Sequence, residues 1–94
     1  MALETFPWDS AEQLESPEDI AAFIEAAFED GDPSVITHAL GVVARARGMS
    51  QVARDSGLSR EALYKALTPD GDPKLSTLFS VLKALGMKVT ARAA

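Results

Sequence analysis

Gly48-Met49-Ser50-Gln51-Val52-Ala53-Arg54-Asp55-Ser56-Gly57-Leu58-Ser59-Arg60-Glu61-Ala62-Leu63-Tyr64-Lys65-Ala66-Leu67 reads as two short helices joined by a tight turn. Ala53 is small enough to sit where the two helices cross. Four residues on, Gly57 supplies the positive φ that a chain needs to leave a helix, without steric cost. Leu58 then turns to the core, and the Ser59 hydroxyl is placed to cap the next helix. Val52, Leu58, Leu63 and Leu67 would hold the pair together, leaving Arg60, Glu61, Tyr64 and Lys65 outward. Any helical protein contains short helix pairs. The Ala, four-residue step, Gly and Ser-capped second helix together favour a helix-turn-helix, whose second helix enters the DNA major groove.

Around this stretch lie 94 residues, one domain small enough that dimerisation is expected to supplement a marginal core. With 47% hydrophobic and 24% charged residues, the composition is that of an ordinary soluble globular chain. No apolar run approaches the roughly 20 residues of a membrane span, and no basic segment precedes an apolar stretch as in a secretion signal. The absence of cysteine removes disulfides and thiolate metal sites, leaving the cytoplasm as the expected compartment.

A net charge of −5 argues at first against nucleic acid, but the distribution of that charge argues for it. Residues 1–44 hold ten acidic side chains and no Lys or Arg; residues 45–94 hold nine basic against four acidic, giving −10 and +5. The basic half surrounds the helix pair and suits phosphate contacts, whereas the acidic half suits a basic protein partner or simply a solvated face.

Upstream, Phe6-Pro7-Trp8 sets two large apolar rings in an irregular arm, expected to lie on the chain's own core or in a partner's groove. Ser10 to Gln13 would open a short helical turn. Ser16-Pro17-Glu18-Asp19 is a strong helix start, followed by Ile20, Phe23, Ile24, Ala27 and Phe28 on one face as far as Gly31. Asp32-Pro33 repeats the device for a helix to about Arg47, burying Val35, Ile36, Ala39, Leu40 and Val43. His38, the only histidine, has no ligating or nucleophilic company and reads as a surface or half-buried helix residue.

Downstream, Thr68-Pro69-Asp70-Gly71-Asp72-Pro73-Lys74 is built of turn residues. Asp70 and Asp72 hint at a calcium loop, yet Val81 stands where the closing Glu is required, so no metal is expected. Residues 75–85 form a last helix with Leu75, Leu78, Phe79, Leu82 and Leu85 inward, closed by Gly86. Met87, Val89 and Ala91 then alternate with polar residues, the period of a strand, predicted to pair with its copy across a dimer axis. The expected fold is therefore all-α. It has about five helices and a helix-turn-helix, with a short carboxyl-terminal β-strand pairing across a dimer. Residues 1–34 would be the acidic arm and helix, 35–86 the DNA-binding core, and 87–94 the dimerisation strand.

Laid out in this way, the chain resembles the addiction-module antidote proteins, prophage-type antitoxins with a lambda-repressor-like helix-turn-helix. The landmarks are the acidic opening through Ala26-Ala27-Phe28, Gly31-Asp32-Pro33, Ala44-Arg45-Ala46-Arg47-Gly48-Met49-Ser50-Gln51 and the quoted stretch from Gly57 to Leu67. Pro69-Asp70-Gly71-Asp72-Pro73 and Lys83-Ala84-Leu85-Gly86 complete them. The resemblance implies an antitoxin that represses its own promoter as a homodimer and neutralises a toxin of the RelE/ParE type. Two departures qualify it: Met49 stands near the place of a phosphate-touching Gln, so that role passes weakly to Gln51, and Asp72 replaces an Asn before the Pro.

For DNA the candidates are Ser59, Arg60, Glu61, Tyr64 and Lys65 on the second helix, with Gln51, Arg54 and Lys74 around it and Arg45 and Arg47 as further phosphate partners. Arg60 suits a bidentate contact to guanine O6 and N7. The chain has no Asn, and its two Gln lie outside this helix, so a guanine-biased half-site is expected. For the toxin the candidates are Phe6, Trp8, Glu18 and Glu25. A stand-alone prophage-type repressor without a toxin is the alternative, and a purely protein-binding module a third. An enzyme is not expected, for want of a nucleophile, a phosphate-binding Gly loop or paired ligands. No cofactor is expected.

Overall fold

The computed structural model describes residues 16–68 and 70–94. Among them are five helices: α1 (Pro17–Asp30), α2 (Pro33–Arg47), α3 (Met49–Ser56), α4 (Arg60–Ala66) and α5 (Leu75–Ala84). The Phe6–Trp8 arm and the Ser10–Gln13 turn lie outside the described residues.

The boundaries are written locally. At α1 the Ser16 hydroxyl accepts the Asp19 N–H at 3.1 Å, Pro17 occupies the first turn, and Glu18 and Asp19 face the positive helix end. The helix stops at Gly31, whose φ of 82° lies in the left-handed region. At α2, both the N–H and the hydroxyl of Ser34 donate to Asp32 Oδ1 at 2.9 Å. These bonds, the hydroxyl's first, hold the Asp32 carboxyl below its ordinary value of 3.8. Because the folded value is the lower one, the cap's contribution is present above that range and lost as pH falls through the lowered value.

Helix α2 is the central element. Thr37, Ala39, Leu40, Gly41, Val42, Val43 and Ala44 are all buried, and the Thr37 hydroxyl donates to the Pro33 carbonyl at 2.8 Å. α1 packs on α2, α2 on α3, and α3 on both α4 and α5. The core is Ile24, Leu40, Val43, Val52, Leu63, Leu67, Val81 and Leu82, with Phe23, Phe28, Leu58 and Leu78 packed around it. Gly41 lets two elements meet: a Cβ there would lie 2.5 Å from the Leu67 carbonyl oxygen at the end of α4. His38 is half-buried on α2.

Three expectations are corrected. Residues 87–94 form no strand, and no strand occurs among the described residues, so the ribbon built from Met87, Val89 and Ala91 is withdrawn. Met87 instead belongs to the end of α5: its N–H donates to the Leu82 carbonyl at 2.8 Å and its side chain packs against the core. Beyond it the alternation contains only Val89 and Ala91, both exposed, too little apolar surface to fix a strand. The inward face of α5 is also rotated from the one expected. Leu78, Val81, Leu82 and Leu85 form its stripe, while Leu75 is 64% and Phe79 46% exposed. Val35, in the first turn of α2, is likewise outside the core at 39% exposed.

Candidate nucleic-acid interface

The α3–α4 pair is made rigid by short-range bonds. Gly57, with φ 79°, donates its N–H to the Ala53 carbonyl at 3.0 Å and reverses the chain. The Ser56 hydroxyl donates to the same carbonyl and accepts the Leu58 N–H, each at 3.3 Å. One residue later the Ser59 hydroxyl accepts the Ala62 N–H at 3.0 Å, capping α4. Val52, Leu63 and Leu67 are buried beneath, and Leu58 and Ala53 are half-buried against them.

Burying Leu63 and Leu67 decides what α4 shows to solvent. Positions 60, 61, 64 and 65 share the opposite side of a 3.6-residue helix, and all four are exposed. Arg60 does not stand free on that side. Its guanidinium carbon lies 5.7 Å from the centroid of the Tyr64 ring, and one terminal nitrogen donates to the Tyr64 hydroxyl at 3.4 Å. A guanidinium has five N–H donors, so most of them stay available for a bidentate acceptor. Glu61 sits in the first turn, near the positive end of the helix, and Lys65 in the last.

On α3 the polar side chains are engaged with one another. Arg54 donates to the Gln51 side-chain oxygen at 2.7 Å, and the Gln51 amide donates to Asp55 at 2.9 Å. Gln51 therefore offers one remaining amide hydrogen to any phosphate. Arg45 and Arg47 are exposed in the last turn of α2, and Lys74 is exposed at the start of α5.

The other candidates lie elsewhere. Glu18 and Glu25 are exposed on α1, far along the chain from the α4 side chains. Phe6 and Trp8 lie outside the described residues. Sequence reasoning did not identify the Arg60–Tyr64 stack or the Gln51–Arg54–Asp55 chain, although the three- and four-residue spacings that bring helical side chains together were legible. It also missed Gly41, for which a glycine inside a helical pattern was the signal. Among the described residues, no His, Cys, Asp or Glu trio is placed to hold a metal, and no helix is long and apolar enough to cross a membrane.

Comparison with known proteins adds a family to this geometry. The family model described as "Probable addiction module antidote protein" matches residues 4–93. An uncharacterised protein of Haemophilus influenzae is 46% identical over 81 residues, which make up 86% of this chain and 84% of that protein. No solved structure matches the chain.

Proposed function

Because this chain belongs to the family of probable addiction module antidote proteins, we propose that it is the antitoxin of a type II toxin–antitoxin module, acting by binding alone. In this reading it represses its own promoter through α4 and neutralises a toxin of the RelE/ParE type through its acidic half. The observation that carries the DNA part is the exposed Arg60, Glu61, Tyr64 and Lys65 face, set on a capped helix within the basic half of the chain.

The helix would enter the major groove by its amino-terminal end. Arg60 would read guanine O6 and N7, and the Tyr64 stack would set the direction of its approach. Lys65, Arg54, Lys74, Arg45 and Arg47 would neutralise phosphates, adding salt dependence without specificity. A homodimer would span two half-sites about one helical turn apart, roughly 34–36 Å. On the other side, the acids of α1, Glu18 and Glu25 among them, would steer a basic toxin.

Titration of a duplex of the upstream promoter at two salt concentrations tests the DNA part. Wild type should bind saturably and more weakly at higher salt. Arg60→Ala should lose about 1–3 kcal/mol of discrimination against a site with its guanine replaced. Absence of binding at low salt would sink the repressor reading. Co-purification with the product of an adjacent small basic reading frame separates an antitoxin from a stand-alone repressor.

A further inference from the structure

Between α1 and the carboxyl-terminal segment runs a groove of about 440 Å³. Ile24, Phe28, Leu82 and Met87 contribute its apolar lining, with Lys88 and Arg92 on the tail side. A second depression of about 360 Å³ shares Met87, Lys88 and Val89 with it and extends to Phe79 and Lys83. Phe79 is 46% and Val89 42% exposed, so apolar surface is open to solvent along both.

We propose that this double groove is the seat of the chain's own amino-terminal arm, residues 1–15, with Phe6 and Trp8 as its two anchors. Charge is the first argument. The arm carries Glu4, Asp9, Glu12 and Glu15 and no cation; residues 74–94 carry Lys74, Lys83, Lys88 and Arg92 and no acid. Glu25 and Glu29 line the α1 side of the groove, so an acidic segment is directed to the tail side, where Lys88 and Arg92 stand.

Reach is the second argument. Phe28 is twelve residues beyond Ser16 along α1, about 18 Å at the helical rise. The eight residues from Trp8 to Ser16 span up to about 26 Å when extended, so both rings can arrive at the groove while the chain enters α1 unbroken. Anchors and places also match in number. A residue that precedes proline, as Phe6 does, is disfavoured in the helical region, and residues two apart in an extended chain face the same side. Two rings so presented meet two depressions that share one wall, and the neighbouring lysines and arginine can also lie on an aromatic face.

Trp8 is the only tryptophan in the chain, so its emission reports the arm directly. The full chain, free of DNA and of any partner, should show a blue-shifted Trp8 maximum and an acrylamide quenching constant several-fold below that of a peptide of residues 1–15. Lys88→Glu with Arg92→Glu, and separately Val89→Asp, should shift the maximum to the red and raise quenching toward the peptide value. These positions are exposed, and unchanged helical circular dichroism would show that the fold persists. A wild-type constant equal to the peptide's would overturn the proposal. So would shielding indifferent to both variants, or shielding lost on dilution, which would place the arm on a second copy. The measurement involves no promoter and no toxin, so its failure leaves the antitoxin reading untouched.

Discussion

Helix α4 and the segment 87–94 begin alike and end differently. Each follows a left-handed glycine, Gly57 with φ 79° and Gly86 with φ 78°. Each then sets a half-buried apolar residue against the core, Leu58 or Met87, and each carries two basic side chains, Arg60 and Lys65 or Lys88 and Arg92. After that the paths separate. Ser59 caps the first segment with its hydroxyl, whereas Lys88, at the matching position, has no acceptor with which to do so. Leu63 and Leu67 recur at helical spacing and are buried, whereas Val89 and Ala91 recur at strand spacing and stay exposed. A turn starts an element, but a cap and a second buried contact make it persist.

Substitutions can break this comparison or sharpen it. The largest effect is expected from Lys65→Pro, which removes a helical hydrogen bond and should cost about 3 kcal/mol or more by urea unfolding. Next is Gly41→Ala on α2. Its new methyl would press on the Leu67 carbonyl, a contact for which the tail has no counterpart, and a loss of about 1–3 kcal/mol is expected. A Gly41→Ala protein as stable as wild type would show that α2 does not fix the end of α4. Ser59→Ala should lower the unfolding midpoint by the worth of one cap, about 1 kcal/mol. The smallest effect belongs to Ala91→Pro, within about 0.5 kcal/mol, as for an exposed position outside any ladder. A loss there as large as that of Lys65→Pro would mean that the tail is an ordered element after all.

The same contrast explains what the sequence made legible. Helix starts at Ser16-Pro17, Asp32-Pro33 and Ser59, and stops at Gly31 and Gly57, depend on residues within four positions of one another and were readable. So was the outward face of α4, because Leu63 and Leu67 leave little choice. What escaped depends on neighbours distant in the chain. Leu75 and Phe79 fit an amphipathic stripe as well as Val81 does, and only packing on α3 selects among them. The alternation from Met87 satisfies a local rule for a strand, but a strand needs an edge to pair with, and sequence periodicity does not supply one. The family was visible in linked landmarks, whereas the Arg60–Tyr64 stack required side-chain geometry.

That stack has an entropic side. Fixing a long, rotamer-rich side chain on binding costs about 0.5–1.5 kcal/mol. Arg60 has surrendered part of that freedom in the unbound chain, since Tyr64 meets its guanidinium with both ring face and hydroxyl. Whatever acceptor Arg60 grips therefore meets a cation already narrowed to a few orientations. Tyr64→Ala would leave the charge in place while returning that ordering cost to the moment of contact.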